Sequence, residues 1–207
     1  MKNTLVIIPT YNEVNNVSRI ISSVFSQPLN IDILIVDDNS PDGTSLLIKK
    51  LIKNNKKKLF LLERKKKVGL GAAYVAGFLW GIKKKYDFIF EMDADFSHDP
   101  SCLPDMVDAL KNKTDVIVGS RYKEGINVVN WPLGRILLSY CASLYVRVIT
   151  GMPVKDPTAG YVGYKRKVLE SLQLNKIQFV GYAFQIEMKF KSWKKNFKIH
   201  EYPIIFK

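Results

Sequence analysis

Two aspartates near the middle of the chain, Asp93 and Asp95, have the type and spacing needed to bind a metal ion. They come directly after Phe88-Ile-Phe-Glu-Met92, a run with the composition of a buried strand, and the small Ala94 separates them. Side chains two positions apart point the same way along an extended chain. Carboxylate oxygens suit Mg²⁺ or Mn²⁺, which keep positions open for substrate phosphates. The spacing therefore predicts a divalent-metal site, although such aspartates also occur in loops and helix caps.

A second pair of carboxylates, Asp37 and Asp38, follows the apolar run Ile31–Val36. The next residues, Ser40 to Gly43, have the composition of a turn, so we expect them to reverse the chain while both carboxylates face a ligand. Helix capping is the alternative role for these aspartates.

Other chemistries lack their motifs. The sequence contains no Gly-x-Ser-x-Gly elbow of a serine hydrolase and no Walker A loop. Its two histidines, His98 and His200, are far apart and neither stands in a recognisable triad. Gly69-Leu-Gly71 lacks the third glycine of a dinucleotide-binding fingerprint, so close packing or close approach of a ligand is the simpler explanation of these glycines.

The elements that must position these residues recur at a regular interval. Apolar runs rich in β-branched residues begin a little under thirty residues apart, and amphipathic helical stripes fill the gaps. Strands that are apolar throughout and alternate with helices indicate an α/β fold with a parallel sheet covered by helices on both faces. Ligands bind beyond the carboxyl ends of such strands. The predicted strands are Leu5–Ile8, Ile31–Val36, Leu59–Leu62, Phe88–Met92 and Val116–Val118.

After Arg121 the rhythm changes, but no low-complexity linker separates the two halves, so we expect one domain over residues 1–207. No window of 18 residues is both apolar and uncharged, and we therefore expect no membrane-spanning segment. The pattern in this half predicts a helix over Ile136–Met152, a strand over Tyr161–Tyr164, a helix over Phe184–Trp193 and a strand over Lys198–Phe206.

The charge of the chain is uneven. The net charge is +13, and the stretch from Lys49 to Lys67 contains ten basic residues and one acidic residue. One interpretation is a solvated surface, and the other is attraction to an anionic membrane. Nucleic acid is not the expected partner, because only six of the 32 basic residues are arginine and the run has no interleaved aromatic residues to read bases.

Taken in order, the motifs resemble those of the polyprenyl-phosphate (dolichyl-phosphate) mannose synthases, a branch of glycosyltransferase family 2. The resemblance extends over essentially the whole chain. The segments that carry it are Ile8-Pro-Thr-Tyr-Asn-Glu13, Val36-Asp-Asp-Asn-Ser-Pro-Asp-Gly43, Gly69-Leu-Gly71, Met92-Asp-Ala-Asp-Phe-Ser-His98, Gly119-Ser-Arg-Tyr122, Asn130-Trp-Pro-Leu-Gly-Arg135, Asp156-Pro-Thr-Ala-Gly-Tyr161 and Gly181-Tyr-Ala-Phe-Gln-Ile-Glu-Met188.

The resemblance implies a GT-A fold and inverting transfer of mannose from GDP-mannose to a polyprenyl phosphate, with Mg²⁺ or Mn²⁺ as cofactor. It implies a nucleotide-binding part over about residues 1–122, an acceptor-side part over about residues 123–207, and a cytoplasmic location at the inner face of a membrane. Arg121 would meet phosphate charge and Arg135 the lipid phosphate, and together with Asp95 they are the expected catalytic residues. By matching positions, Pro9, Tyr11, Glu13, Val36 and Asp38 would hold the nucleoside, Asp93, Ala94, Asp95 and Ser97 would surround the diphosphate, and Asp93, Asp95 and Ser97 would bind the metal.

One feature of the family is missing. The resemblance implies an Arg-x-x-Gly-x-Ser-Lys segment after the strand that contains Tyr202 to Phe206, whereas this chain ends at Lys207. Either the sequence is shortened at its C-terminal end, or the protein binds its donor weakly. Two alternatives stay open: a family-2 enzyme with another donor, such as UDP-glucose, and a non-catalytic module that binds nucleotides or membranes. The apolar helix predicted at Ile136–Met152 has two possible roles, a surface that faces the membrane or acceptor, or a buried core helix.

Overall fold

A seven-stranded sheet forms the centre of the molecule, in the order β3-β2-β1-β4-β6-β5-β7. The computed structural model describes residues 4–55 and 57–206. Every pair of neighbouring strands is parallel except the two pairs made by β6, which runs antiparallel to β4 and β5. The strands are β1 (Thr4–Thr10), β2 (Ile31–Asp37), β3 (Leu59–Glu63), β4 (Phe88–Glu91), β5 (Val116–Ser120), β6 (Val162–Lys165) and β7 (Ile199–Pro203).

Helices cover both faces of the sheet because each central strand is apolar on both sides. In β1, Val6 and Ile8 pack under α1 and α4, whereas Leu5 and Ile7 pack under α3, α6 and α7. The mostly parallel sheet with helices on both faces is therefore confirmed. The helices are α1 (Val17–Phe25), α2 (Thr44–Asn54), α3 (Leu70–Lys83), α4 (Leu103–Asn112), α5 (Leu133–Thr150), α6 (Arg166–Ser171) and α7 (Ala183–Lys194), with short 3-10 turns at Pro100–Cys102 and Leu174–Lys176.

Helix α3 packs closely against the sheet and against α7, and its glycines allow this. A Cβ atom on Gly77 would lie 2.7 Å from the side chain of Ile7, and one on Gly71 would lie 2.7 Å from the ring of Phe184. Close packing therefore accounts for Gly71, as expected from the sequence. It also brings the start of α3 to the carboxyl edge of the sheet.

Helix α5 differs from the others because almost none of it is buried; Ser143 is its single buried residue. It begins at Leu133, directly after Pro132, and ends at Thr150, where Gly151 adopts a left-handed conformation (φ 69°). The predicted bounds, Ile136–Met152, were therefore displaced towards the C-terminus. By length and composition this helix could cross a bilayer, with a mean hydropathy of 1.3 and 6% of the window buried, although it contains Arg135 and Arg147.

The strand order places a topological switch at the centre of the sheet. Strand β1 lies between β2 and β4, so the crossover connections on its two sides leave in opposite directions and open a crevice at the carboxyl edge. The start of the antiparallel β6 reaches the same edge, together with the loop that precedes it. Polar residues from five strands therefore converge there.

Candidate active site

Two adjoining cavities lie at the carboxyl edge of the sheet. The first has a volume of about 300 Å³ and the second about 350 Å³, and they share Leu70, Asp93 and Asp95. The other residues of the first cavity are Pro9, Thr10, Tyr11, Glu13, Asp38, Lys67, Gly69, Ala73 and Ala94. The other residues of the second are Ser97, His98, Gly119, Arg121, Trp131, Arg135, Thr158, Ala159, Gly160, Gly181, Tyr182, Gln185, Ile204 and Phe206.

The carboxylates of Asp93 and Asp95 form the boundary between the cavities. The hydroxyl of the buried Tyr74 donates to Oδ1 of Asp93 at 2.9 Å, and the backbone N–H of Ser97 donates to Oδ1 of Asp95 at 3.0 Å. Phe96, which separates Asp95 from Ser97, adopts a left-handed conformation (φ 65°). This turns the chain so that Ser97 lines the second cavity. Burial, with the nearby Asp93 carboxylate, raises the pKa of Tyr74 well above its ordinary value, so this hydroxyl stays a donor.

The donor set at this boundary fits Mg²⁺ or Mn²⁺. Each carboxylate has one oxygen, Oδ2, that accepts no hydrogen bond from the described residues, and Ser97 lines the second cavity with them. The described residues contain no group of three or more His, Cys, Asp or Glu side chains that could hold a metal. Such a sparse set of oxygen ligands suits an ion that takes its remaining ligands from water and substrate phosphates.

The first cavity contains four of the five predicted nucleoside-binding residues, namely Pro9, Tyr11, Glu13 and Asp38, together with Ala94, which was expected beside the diphosphate. The ammonium group of Lys67 lies 4.1 Å from the centre of the Tyr11 ring, which fixes one wall. The buried carboxylate of Asp38 lies 3.1 Å from the guanidinium of Arg64. Burial raises the pKa of Asp38 and the charge of Arg64 opposes that rise. Lys67 thus lines the cavity as a cation, and Arg64 pairs with the carboxylate of Asp38.

The two neighbouring aspartates at the end of β2, Asp37 and Asp38, have different surroundings in the structure. Asp37 does not face a ligand, because its carboxylate accepts hydrogen bonds from the Thr10 hydroxyl at 2.8 Å and from the N–H and hydroxyl of Ser40 at 2.9 and 2.6 Å. Our expectation that both carboxylates face the ligand was therefore wrong for Asp37. Its role is to tie the loop after β2 to the end of β1.

Val36 is the one predicted nucleoside-binding residue that the structure does not bring to either cavity. Its side chain is fully buried in the core between the sheet and α3. Along a strand, alternate side chains point to opposite faces, and position 36 falls on the face that α3 covers. The side chain of Val36 is therefore a core residue in this structure.

Arg121 lies in the wall of the second cavity, where most of its hydrogen-bonding capacity is used. Its Nε and one terminal nitrogen donate to the two carboxylate oxygens of Asp156 at 2.7 and 2.6 Å, and that nitrogen also donates to the Thr158 hydroxyl at 2.7 Å. Asp156 is fully buried. The guanidinium therefore holds the loop of residues 156–160 against the end of β5, and only its remaining edge faces the cavity.

Arg135 presents a different arrangement. It stands in the first turn of α5, its guanidinium lies 4.0 Å from the centre of the Trp131 ring, and it has no carboxylate partner among the described residues. Stacking on an aromatic face orients the planar group without using its five N–H donors. Arg135 can therefore pair with an anionic oxygen that enters the second cavity.

A buried polar network supports the floor of the second cavity. The ammonium group of Lys189 donates to the carbonyl of Ala159 at 2.7 Å and to the side-chain oxygen of Gln185 at 3.2 Å. The amide of Gln185 in turn donates to Glu91. Burial lowers the pKa of Lys189 to about 8 and raises that of Glu91 to about 8. This network joins α7, β4 and the loop before β6.

Comparisons with known proteins agree with this arrangement. The family model for glycosyl transferase family 2 matches residues 5–173. The chain belongs to glycosyltransferase family 2. It is 43% identical over 203 residues to polyprenol monophosphomannose synthase of Mycolicibacterium smegmatis, an alignment that covers 98% of this chain and 77% of the relative. It is 40% identical to undecaprenyl-phosphate mannosyltransferase of Micrococcus luteus, with 98% of this chain and 82% of the relative covered.

The structural likeness of this family-2 glycosyltransferase extends to solved structures. The mannosyltransferase PcManGT of Pyrobaculum calidifontis, in complex with GDP-Man and Mn²⁺, matches with a TM-score of 0.66 and 16% sequence identity. The match covers 98% of this chain and 55% of that protein. At this level of identity the likeness concerns the fold, and the predicted GT-A fold is confirmed.

Several residues of the glycosyltransferase site could not be assigned a place from single motifs. These residues are Tyr74, Trp131, Asp156 and Gln185. Except for Trp131, which is four residues from Arg135, each is distant in sequence from the residue that it contacts. For Trp131 and Asp156, the signal was their place in the ordered motifs. Tyr74 sits in an apolar helix, and nothing local distinguishes it from a core tyrosine.

Proposed function

We propose that this glycosyltransferase moves mannose from GDP-mannose to a polyprenyl phosphate, with inversion at the sugar and with Mg²⁺ or Mn²⁺ bound by Asp93, Asp95 and Ser97. The observation that carries the proposal is the composition of the second cavity. Among the described residues, its only carboxylates are Asp93 and Asp95, and it holds the unpaired guanidinium of Arg135. Such a cavity suits an acceptor that is already anionic.

The nature of the acceptor follows from the lack of a carboxylate that could act as general base on the acceptor side of the second cavity. A sugar hydroxyl needs a general base to become a good nucleophile, whereas a phosphate oxygen is ionised at neutral pH. With both carboxylates at the metal boundary, none remains on the acceptor side to act as that base. The names of the two relatives, which specify polyprenol and undecaprenyl phosphate, agree with a phosphate acceptor on a lipid.

The residues of the two cavities divide the work. The first cavity, with Tyr11, Lys67 and Asp38, would hold the nucleoside, and the diphosphate would cross the boundary at Asp93 and Asp95. When bound, the divalent ion supplies positive charge that stabilises the departing GDP. Arg135 would hold the acceptor phosphate in line with the sugar, and its position at the mouth of the cavity leaves the lipid chain outside.

The second part of the proposal is contact with a membrane through α5. Apart from Arg135 in its first turn, the exposed residues of α5 carry no charge. Monomeric soluble proteins seldom expose an apolar patch of this extent unless it meets a partner or a membrane. Because the helix starts at the cavity, a lipid tail could leave along it. Its exposed large apolar residues are Leu133, Leu137, Leu138, Tyr140, Leu144, Tyr145, Val148 and Ile149.

Basic and apolar residues near Leu70 and Tyr182, which also line the second cavity, support the same orientation. The backbone N–H of Gly71 donates to the carbonyl of Val180 at 2.9 Å, which holds two loops together. These loops expose Val68, Leu70, Phe179, Val180 and Tyr182, and Lys65, Lys66 and Lys67 flank them. Apolar residues beside lysines suit the boundary between anionic headgroups and acyl chains. Elsewhere in the lysine run, Lys49 pairs with Glu63 at 2.8 Å, and Lys56 lies outside the described residues.

A panel of donors tests the proposed reaction. The protein would be incubated with Mn²⁺ or Mg²⁺, a polyprenyl phosphate and GDP-mannose, UDP-glucose or GDP-glucose in turn, and the lipid product would be weighed by mass spectrometry. We expect a product one mannosyl residue heavier with GDP-mannose, and none when unphosphorylated polyprenol replaces the acceptor. If UDP-glucose were the single donor to give a product, the assignment of GDP-mannose as the donor would be wrong. No turnover with any donor would favour the non-catalytic alternative.

A further inference from the structure

His98 is a buried histidine that faces the second cavity. It is 1% exposed, its ring stacks on Tyr161 with 4.9 Å between centres, and the edge of Phe206 packs against it at 5.7 Å. The backbone N–H of Asp93 points at Nδ1 of His98 at 3.0 Å. Because an amide N–H can only donate, Nδ1 is the unprotonated acceptor, and the neutral ring carries its proton on Nε2.

The protonated edge of the ring has no protein partner. Among the described residues none accepts a hydrogen bond from Nε2 of His98, and Nε2 is not one of their fully buried unpartnered atoms, so it is open to the cavity that His98 lines. Gly160 lies over this edge: a Cβ atom there would lie 3.7 Å from Nε2 and 3.8 Å from Oδ2 of Asp93. The absence of a side chain at position 160 keeps this edge accessible from the cavity.

We infer that His98 is a catalytic residue whose Nε2–H donates a hydrogen bond to a phosphate oxygen of the bound substrates. The inference rests on the proposed function. His98 lines the second cavity and not the first, and it shares that cavity with Arg121 and Arg135. A group that lines one cavity with these guanidiniums and with the metal boundary would meet the phosphate oxygens of either the departing nucleotide or the acceptor.

The tautomer also fixes what His98 cannot do. With Nδ1 occupied by the Asp93 amide and Nε2 protonated, the neutral ring has no lone pair directed at the cavity. It therefore acts as a fixed hydrogen-bond donor and not as a general base. The same hydrogen bond that sets the tautomer also holds the backbone of a metal-binding aspartate, so a positioning role has to be separated from donation by experiment.

A spectroscopic measurement on the wild-type protein tests donation without turnover. The chain has two histidines, and His200 is exposed on β7, so protein labelled with ¹⁵N-histidine gives two sets of ring signals that His200→Asn assigns. We expect the Nε2–H signal of His98 to shift on addition of Mg²⁺ with GDP, or of geranyl phosphate, while His200 serves as the unchanged reference. The ligand that causes the shift identifies the phosphate. No shift with either ligand would overturn the inference.

Two variants separate donation from positioning. In His98→Gln the side-chain amide can reach the place of Nε2 and donate, but no acceptor remains at the place of Nδ1. In His98→Asn the side-chain oxygen can replace Nδ1 as acceptor for Asp93, but nothing reaches the cavity. Loss of a hydrogen bond to a charged group typically lowers a rate about tenfold or more. We expect His98→Asn to show that loss in transfer and His98→Gln to retain more activity.

The opposite order would show that His98 only positions Asp93, and the inference would fail. Thermal unfolding of both variants establishes that each is folded. Affinity for GDP with Mg²⁺ and the KM for polyprenyl phosphate, measured separately, report which phosphate is affected. If wild-type protein transfers no mannose at all, the proposed function fails, and the shift of the His98 signal with GDP still decides whether this residue contacts a phosphate.

Discussion

Arg121 and Asp156, which are 35 residues apart, form a buried ion pair with two hydrogen bonds in the wall of the second cavity, at 2.7 and 2.6 Å. Asp156 also accepts the backbone N–H of Arg121 at 3.0 Å. The carboxylate therefore neutralises most of the charge of Arg121 and fixes the loop before β6. Of the two arginines assigned to phosphates, Arg135 is the one whose charge is not already paired.

The first prediction is that Asp156→Asn destabilises the fold strongly. Removal of one partner leaves the Arg121 guanidinium buried without its counter-charge, which typically costs about 3–5 kcal/mol in unfolding free energy. Urea unfolding measures the loss. Asp87→Asn is the control, because Asp87 pairs with Arg166 at 3.7 Å near the surface, where such pairs contribute about 0–1 kcal/mol. Equal losses in the two variants would contradict the assignment of a buried structural pair.

The second prediction is that Asp95→Asn removes metal-dependent nucleotide binding and leaves the fold intact. Asp95 is exposed, and the asparagine side-chain oxygen can still accept the N–H of Ser97, so the turn is preserved. Loss of a charged ligand should weaken binding of GDP in the presence of Mn²⁺ by at least ~10-fold, measured by calorimetry. Asp108→Asn, the same change at an exposed position on α4, should bind normally. Unchanged affinity in Asp95→Asn would remove this residue from the metal site.

The parallel sheet and the aspartates at its edge were accessible from sequence because both are local patterns. Runs such as Ile33–Val36 are apolar at every position, which in a strand means burial on both faces. Asp93 and Asp95 follow such a run, and the end of a buried strand is where a carboxylate can reach solvent. In these cases neighbouring residues contain the information.

The remaining features depend on contacts between distant segments. Asp37 and Asp38 are adjacent and chemically identical. Asp37 has a structural role only because the hydroxyls of Thr10 and Ser40 approach and donate to its carboxylate. The pairing of Arg121 with Asp156 depends on β6 entering the sheet between β4 and β5, which no local pattern indicates. The sequence also could not show whether α5 is exposed, because an apolar helix has the same composition whether protein core or lipid covers it.

The third prediction concerns Arg135→Lys. Lysine keeps the charge but loses the planar contact with Trp131 and the ability to pair two oxygens at once. We expect the kcat/KM for polyprenyl phosphate to fall about tenfold, with little change in the affinity for GDP-mannose. Steady-state kinetics with each substrate varied in turn separate these effects. Arg166→Lys on α6, outside both cavities, is the control, and a variant that mainly impaired donor binding would reverse the assignment of the cavities.

The fourth prediction is a pH dependence of stability that comes from Lys189. Burial lowers the pKa of this ammonium group from 10.5 to about 8, so between these values the unfolded chain binds more protons than the folded protein. Stability should therefore rise as the pH increases from about 8 towards 10.5, by up to about 3 kcal/mol from this group. Glu91, whose pKa burial raises to about 8, acts in the opposite direction below that pH.

Urea unfolding at pH values on both sides of 9 would test this contribution. The difference between wild type and Lys189→Met should grow with pH, because the variant cannot gain the stability that deprotonation of Lys189 supplies. Lys194→Met, at a more exposed position on the same helix, should give a parallel curve to wild type. A constant difference between wild type and Lys189→Met would mean that the lysine keeps its ordinary pKa in the folded protein.

The last prediction is that Leu138→Asp weakens membrane binding without affecting the fold. Leu138 is 72% exposed on α5, so a charge there costs little in the free protein but opposes insertion into acyl chains. Since burial of a leucine contributes about 1.5–3 kcal/mol, binding to liposomes should fall about tenfold or more. Leu46→Asp, at a leucine that is 64% exposed on α2, is the matched control and should bind as wild type does. Sedimentation with anionic and neutral liposomes at rising salt measures the contribution of Lys65 to Lys67. If these lysines attract the membrane, binding should require anionic lipid and weaken with salt, because exposed charges are screened over ~8 Å at physiological ionic strength. Equal binding by Leu138→Asp and wild type would exclude α5 as the docking surface. Equal binding to anionic and neutral liposomes would show that the lysines form an ordinary solvated surface and do not attract the membrane.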